Sequence, residues 1–240
     1  MRKDSVAEKT MNVLSAGAPK SAVSGCAQAF TEKTGIAVAV EFATAPVLRE
    51  TIAGGMAAVD VVIASIAAAK AFEDAGHTVA GSGAVIGSVK AAVTVRIGAL
   101  EPDLSCAESL RKAMLDADAL VYNVASSGQY IATMIETLGI ADEVAVKTTR
   151  TKTGAGVMEH LHASGLNNEI GFAQATEIQV QIDKGLNVKL LGTLPKALEI
   201  VTTYRSAILS AASSNADAGD FLAFMASEQG QRICQQTGLD

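Results

Sequence analysis

Four turns in the sequence place small or hydroxyl-bearing residues directly before a helical pattern. They are Gly17-Ala18, Thr44-Ala45, Ser126-Ser127 and Thr153-Gly154. The first backbone N–H groups of a helix have no partner inside it, and through the local dipole each can stabilise an anion by roughly 0.5–2 kcal/mol. We interpret these turns as contacts for a small anion. The alternative is that they are ordinary helix caps, which favour the same residue types.

Strand and helix patterns alternate over residues 11–65 around two Ala-Pro turns. One apolar run ends at Ala18-Pro19 and the next ends at Ala45-Pro46. Proline at the start of a helix sacrifices no hydrogen bond, so each turn predicts a helix start. If the two strands are parallel neighbours, both helix starts lie beyond the same edge of the sheet. The expected fold class is therefore α/β, with a mostly parallel sheet flanked by helices.

Composition favours the same fold class and excludes others. Of 240 residues, 49% are hydrophobic and only 4% are aromatic, so the core consists mainly of Ala, Val, Ile and Leu. Strands made of these residues suit a parallel sheet that is buried on both faces. The formal net charge is −6 without a basic run, which argues against nucleic acid as a partner. No apolar run reaches the about 20 residues that cross a bilayer.

The middle of the chain repeats the alternation with its own strand-to-helix turns, and an apolar strand pattern returns near residues 200–209. We therefore expect two lobes, with the second inserted into the first. The expected boundaries are residues 1–89 with 200–240 for lobe 1, residues 90–199 for lobe 2, and hinge segments near 88–92 and 194–203.

Cysteine and histidine indicate no cofactor or metal site. Cys26, Cys106 and Cys234 are single and far apart, and we interpret them as small buried hydrophobes. His160 and His162 would face opposite sides of a helix, so we interpret them as surface residues rather than a metal pair. The sequence has no Gly-x-Ser-x-Gly elbow and no phosphate-binding loop, so nothing favours an enzyme.

Arg205 is the cation that most needs an explanation. It lies within the apolar segment Val201-Thr-Thr-Tyr-Arg205, where a charged group needs a partner. We interpret it as a ligand or hinge contact. If the ligand is an organic carboxylate, an arginine could bind it through two parallel hydrogen bonds.

Several segments together resemble the periplasmic molybdate-binding proteins of ABC transporters, within the wider class of type II solute-binding proteins. The resemblance covers residues from about 11 to 239. The segments that carry it are Val13-Leu-Ser-Ala-Gly-Ala-Pro-Lys-Ser21, Phe42-Ala-Thr-Ala-Pro-Val-Leu48, Asp60, Ser127-Gly128 with Tyr130, Leu138-Gly139 and Ile170-Gly171. The resemblance implies a two-lobed type II periplasmic binding protein fold, with a two-segment hinge.

The resemblance also implies ligand contacts at Ala18, at Thr44 or Ala45, at Ser127, near Thr153 and at Gln174. This chain departs from the molybdate pattern in three places. Ala18 stands where a serine hydroxyl is usual, Ala45-Pro46 stands where serines are common, and Gln174 stands where a tyrosine hydroxyl is usual. A buried anion needs many donors. The expected ligand is a molybdate-class oxyanion, with a small organic carboxylate as the alternative.

The function implied by the resemblance is that of a solute-binding protein of an ABC importer. It would deliver a small anion to a membrane permease, act as a monomer, need no cofactor and catalyse no reaction. The resemblance implies a periplasmic location, yet residues 1–10 start basic and lack an apolar segment, so we expect no signal peptide in this chain. A cytoplasmic ligand sensor of the same fold is therefore an alternative.

Overall fold

A computed structural model describes residues 10–55 and 59–240. The strands are β1 (Thr10–Ala16), β2 (Ala37–Ala43), β3 (Val61–Ser65), β4 (Val85–Arg96), β5 (Ala119–Asn123), β6 (Thr148–Thr151), β7 (Glu169–Gln174), β8 (Val188–Thr193) and β9 (Val201–Ile208). The helices are α1 (Lys20–Thr34), α2 (Ala45–Ala53), α3 (Ile66–Asp74), α4 (Ala107–Asp116), α5 (Ser126–Thr137), α6 (Ala141–Ala145), α7 (Gly154–Ala163), α8 (Ala175–Asp183), α9 (Ala216–Ala226) and α10 (Glu228–Gln236).

The described chain forms two compact units. Unit 1 contains the described residues up to Gly87 together with Thr203–Asp240, and unit 2 is Ser88–Thr202. Strands β4 and β9 each continue across a unit boundary. The expectation of no signal peptide rests largely on residues 1–9, which lie outside the described residues. In the described part, no helix is long and apolar enough to cross a membrane.

The sheet of unit 1 has the strand order β2-β1-β3-β9. Strand β1 is parallel to β2 and β3, whereas β9 is antiparallel to β3. Ala16 pairs with Ala43, so β1 and β2 end side by side. The two Ala-Pro turns that follow these strands therefore lie at one edge of the sheet, as the sequence predicts.

The core of unit 1 includes helices from both ends of the chain. The phenylalanine ring of α1, Phe30, is 2% exposed. Its centroid lies 5.3 Å from that of Phe221 and 5.7 Å from that of Phe224, both edge-on and both in α9. Helix α1 ends at Gly35, whose φ of 76° is readily adopted only by glycine. A glycine directly after the last helical residue is a common helix stop.

The sheet of unit 2 has β5 parallel to both β6 and β7, with β4 antiparallel to β7 and β8. Its strands β5 and β7 are buried on both faces. Leu120 packs into one hydrophobic cluster, with α4 and α5, and Val121 packs into another, with α7 and α8. Successive strand residues point to opposite faces, so an apolar run with helices on both sides fills both clusters.

One interpretation of a single residue is wrong. Cys26 and Cys234 are buried, as expected, but Cys106 is exposed. Its sulfur accepts a hydrogen bond from the backbone N–H of Ser109 at 3.4 Å and caps α4. Contacts with the Ser109 hydroxyl and N–H lower the pKa of this thiol. The cysteine thus acts as a helix cap, a role that small polar side chains usually fill.

His160 is not a free surface residue. Its Nε2 atom lies 3.0 Å from Oε1 of Glu169, a carboxyl group that is 2% exposed. A buried carboxylate needs a partner of this kind, because burial without one is costly. The sequence analysis missed the pairing because Glu169 belongs to the strand that follows the helix.

Candidate functional site

The predicted turns of unit 1 lie next to each other at the carboxyl edge of its parallel strands. Gly17-Ala18 follows β1, and Thr44-Ala45 follows β2 in the neighbouring position. The N-terminal caps of α1 and α2 are Pro19 and Thr44, and neither makes a side-chain capping hydrogen bond. Neither capping side chain therefore occupies the first turn of its helix, where the N-terminal dipole favours an anion.

A third turn at the same edge was not predicted as part of the site. Strand β3 ends at Ser65, and α3 begins directly after it. The Ser65 hydroxyl accepts a hydrogen bond from the N–H of Ala68 at 3.4 Å. Helix α3 thus carries its own serine cap, unlike α1 and α2. The turn could have been recognised from the serine that directly precedes an alanine-rich helical pattern.

The β5–α5 turn of unit 2 is built around the buried side chain of Asn123. Its Oδ1 accepts from the N–H of Ala125 at 2.8 Å and of Gly128 at 3.3 Å. Its Nδ2 donates to the Ser127 hydroxyl at 3.0 Å. The turn therefore holds Ser126 and Ser127 in a fixed conformation, while Ala125, the N-terminal cap of α5, offers no side-chain cap. The role of Asn123 is not apparent from the sequence, because a polar residue at the end of an apolar run is typical of an ordinary strand end.

The predicted Thr153-Gly154 turn follows β6, the parallel neighbour of β5. Thr153 Oγ1 accepts from the N–H of Gly156 at 3.1 Å, so this hydroxyl caps α7. Gly154 is buried, and a Cβ atom there would lie 2.1 Å from Oε2 of Glu177. The start of α7 therefore packs directly against a carboxyl group of α8.

Gln174 ends β7 and is the N-terminal cap of α8. It is 1% exposed, and its Nε2 donates to the Thr202 hydroxyl at 2.9 Å. Because β5, β6 and β7 are parallel neighbours, Gln174 lies at the same edge of the sheet as Ser127 and Thr153. The structure thus brings the predicted residues of unit 2 to one edge.

Glu177 is the titratable group of this edge. Glu177 as a whole residue is partly exposed, but its Oε2 atom is buried and has no hydrogen-bond partner. Burial raises the pKa of this carboxyl to about 7, and the backbone N–H of Gln174 opposes part of the rise. Glu177 is the third residue of α8, the position from which a glutamate reaches back to the capping residue.

The elements packed against α8 add no opposing charge to Glu177. The titratable side chains of α7, β7, β8 and the rest of α8 are Glu159, His160, His162, Glu169, Lys189 and Asp183. Glu159 is exposed, and the other five are hydrogen-bonded to other groups. Burial and one backbone N–H therefore account for the raised pKa.

Arg205 has partners inside unit 1. Its guanidinium donates to Oε2 of Glu73 and to the carbonyl oxygen of Gly83, each through one nitrogen, at 3.4 and 3.3 Å. A Cβ atom on Gly83 would lie 2.5 Å from the Nε atom of Arg205. These contacts join β9 to α3 and to the segment before β4, so the arginine has the partner that its apolar surroundings require.

We therefore expect Arg205→Ala to weaken unit 1 and to leave ligand binding unchanged. Loss of a partly exposed ion pair and one hydrogen bond should lower the free energy of unfolding by about 1 kcal/mol. Chemical denaturation measures the stability, and calorimetry measures the affinity for whichever anion binds. A large loss of affinity in a folded variant would instead assign Arg205 to the ligand.

Metal ligation has no support in the described part of the chain. Among residues 10–55 and 59–240, no three His, Cys, Asp or Glu side chains lie close enough together to hold a metal ion.

Comparison with solved structures confirms the predicted fold class, that of the type II periplasmic binding proteins. The chain is similar to the periplasmic molybdate-binding protein of Azotobacter vinelandii, with a TM-score of 0.76 and 16% identity over 96% of this chain and 98% of that chain. It is also similar to iron-bound HitA from Pseudomonas aeruginosa, with a TM-score of 0.70 and 17% identity over 95% of this chain and 84% of that chain.

Comparison with characterised sequences finds a relative named for an enzyme. An aconitate isomerase of a Pseudomonas species is 24% identical over 236 residues, which cover 96% of this chain and 87% of the relative. The family model of bacterial extracellular solute-binding proteins matches residues 11–240. That match covers every described residue except Thr10. The chain therefore belongs to the family of bacterial extracellular solute-binding proteins.

Proposed function

We propose that this protein binds a small anion for an ABC importer and delivers it to a membrane permease. The observation that carries the proposal is that the capping residues of α1, α2, α5 and α8 make no side-chain capping hydrogen bond. At α5 the Asn123 side chain bonds the N–H groups of Ala125 and Gly128, so α1 and α2 carry most of the weight. All four helices begin at the carboxyl edge of parallel strands. Helices α6 and α9 also lack such caps, but they do not follow a strand of either sheet directly.

The proposed contacts lie at the carboxyl edge of the parallel strands in each unit and consist mainly of neutral groups. They are Gly17, Ala18, Thr44, Ala45, Ser126, Ser127, Thr153, Gly154 and Gln174. Arg205 is left out because Glu73 and Gly83 already hold its guanidinium. Backbone N–H groups at helix starts favour an anion without a full counter-charge. Family membership supports delivery to a permease, and a periplasmic or extracellular site of action.

A thermal-shift screen tests the proposal directly. The screen should contain molybdate, sulfate and phosphate, small mono-, di- and tricarboxylates, and neutral and cationic solutes. A ligand at 100 times its dissociation constant should stabilise the protein by about 2.7 kcal/mol. The proposal requires at least one anion to produce such a shift. A response confined to neutral sugars or polyamines would refute it.

Thr44→Leu should abolish most of that response. Thr44 is half-buried, and its side chain makes no capping hydrogen bond, so a larger apolar side chain should leave α2 folded. At the start of the helix it should occlude the N–H groups and lower affinity by at least about tenfold, or about 1.4 kcal/mol. The matched control is Val47→Leu, at an exposed position in the same helix. Equal affinity in the two variants would show that this turn does not bind the ligand.

A second candidate function is isomerisation of an unsaturated carboxylic acid. The relative named aconitate isomerase, matched over 96% of this chain, favours it. Moving a double bond along a carbon chain requires a base to remove a proton from carbon and an acid to return one. A carboxyl group with a pKa near the working pH suits such a step, and the pKa of Glu177 is raised to about 7.

Proton NMR in deuterium oxide separates the two functions. Catalysis would interconvert cis- and trans-aconitate and incorporate deuterium at the methylene carbon, and Glu177→Gln should abolish both. A protein that binds either isomer without conversion or exchange is a carrier only.

A further inference from the structure

Two buried oxygen atoms in the first turn of α8 have no hydrogen-bond partner. One is Oε1 of Gln174, in a side chain that is 1% exposed. The other is Oε2 of Glu177, three residues further on. Within residues 10–55 and 59–240, these are the only buried, unpartnered side-chain atoms that share a helical turn. Native structures rarely leave such groups unsatisfied, so the pair needs an explanation.

The two oxygens lie at the edge of the sheet where the proposed ligand contacts of unit 2 are found. Gln174 ends β7, and the carboxyl of Glu177 packs against the start of α7 at Gly154. The amide nitrogen of Gln174 is already used, because it donates to the Thr202 hydroxyl at 2.9 Å. What remains available from this side chain is an acceptor. This combination differs from the start of α5, where Asn123 satisfies its own turn.

The chemistry of these atoms restricts the ligand. A carboxamide oxygen and an ionised carboxylate oxygen only accept hydrogen bonds. A fully ionised oxyanion such as molybdate has no proton to donate, and it would be repelled by an ionised Glu177. A ligand hydroxyl placed here would satisfy one of the two oxygens, and an ammonium group has enough N–H donors for both, while the helix starts hold the ligand's carboxylate.

We propose that the ligand is a small carboxylic acid that also carries a hydrogen-bond donor, which is a hydroxyl directed to Gln174 Oε1 or Glu177 Oε2, or an ammonium group directed to both. The inference rests on the proposed function and narrows the ligand from anions in general to hydroxy- or amino-carboxylates. Bare oxyanions and donor-free carboxylates bind weakly because they leave the two acceptors unpaired.

Matched acids test this inference on the full-length protein. Each set shares a carbon skeleton and differs in one substituent: propionate, lactate and alanine; succinate, malate and aspartate; tricarballylate and citrate. Calorimetry should find at least one donor-bearing acid that binds about tenfold or more tightly than its donor-free counterpart, the cost of leaving a buried acceptor unpaired. The hydroxyl and ammonium members identify which donor is used.

Substitution at Glu177 tests the assignment to residues. Glu177→Gln keeps the size of the side chain and its contact with the N–H of Gln174 but removes the charged acceptor. It should reduce the preference for the donor-bearing acid about tenfold, partly by raising the affinity for the donor-free acid, which the glutamine no longer repels. Glu159→Gln, the same substitution at an exposed position of α7, is the control and should change neither affinity.

The outcomes separate this inference from the proposed function. If molybdate or a donor-free acid binds as tightly as every donor-bearing acid, the inference is wrong and anion binding stands. If no acid of any set binds but an oxyanion does, the inference is again wrong and anion binding again stands. If no anion binds at all, both fail. An unchanged preference in Glu177→Gln would also overturn the inference.

Discussion

Gly128→Ala is expected to destabilise unit 2 by about 3 kcal/mol or more and to abolish ligand binding with it. A Cβ atom at this position would lie 1.6 Å from the backbone oxygen of Asn123, far inside contact distance. The obstacle is a main-chain carbonyl at the end of β5, which cannot rotate away as a side chain can. Overpacking a tight site typically costs 1–3 kcal/mol, and here the backbone of the turn itself must move.

Chemical denaturation of purified protein measures this effect, and Gly219→Ala is the matched control. Gly219 lies within α9, and a Cβ atom there would meet nothing within 4 Å. Alanine in a helix interior is favoured over glycine by about 0.5–1 kcal/mol, so this variant should be more stable than the parent. Equal stability of the two variants would show that the β5–α5 turn is less closely packed than described.

Glu177→Gln should stabilise the unliganded protein by an amount that grows as the pH rises from about 4.5 to about 7 and is constant above it. Folding raises the pKa of this carboxyl from an ordinary value of 4.5 to about 7. Below the lower value the carboxyl is protonated in both the folded and the unfolded state, so it does not make stability depend on pH. Between the two values the folded state holds the extra proton, and stability falls as pH rises. Above pH 7 the parent must carry a poorly solvated charge that glutamine lacks.

The expected gain is roughly 1–3 kcal/mol at about pH 8.5, since each pKa unit corresponds to about 1.4 kcal/mol. Urea denaturation of the parent and the variant across pH 4–9 measures the difference. Glu159→Gln, at an exposed site on α7, should give parallel curves for variant and parent. A constant difference at every pH would mean that the carboxyl is hydrated in the folded protein.

The larger elements of the fold follow from local patterns in the sequence. The Ala-Pro turns and Gly35 mark helix ends that the structure contains, because proline and glycine impose backbone conformations with little help from tertiary contacts. Strand β6 was missed. Its four residues, Thr148–Thr151, are three threonines and an arginine, so it shows no apolar alternation. Such a strand forms because β5 offers it a pairing edge, which no local pattern reveals.

The positions of the turns could be predicted, but the side chains that organise them could not. Turn residues are recognisable because each parallel strand must be followed by a helix start. Asn123 and Glu177 act through buried hydrogen bonds and desolvation, which depend on neighbours distant in sequence. One local signal was available for Glu177. A glutamate three residues after a helix cap is a common pairing, and here the cap is glutamine rather than serine or threonine.

The division of unit 1 between the two ends of the chain has a consequence during synthesis on the ribosome. Unit 2 is continuous, so it can fold as soon as Thr202 has emerged. Unit 1 must wait, because β9 completes its sheet beside β3, and the aromatic rings that cover Phe30 come from α9. Until then the nascent chain displays an unpaired strand edge and an uncovered helix face, which chaperones recognise. We expect truncation within α9 to produce a chain that a chaperone retains, with unit 2 already protected from protease.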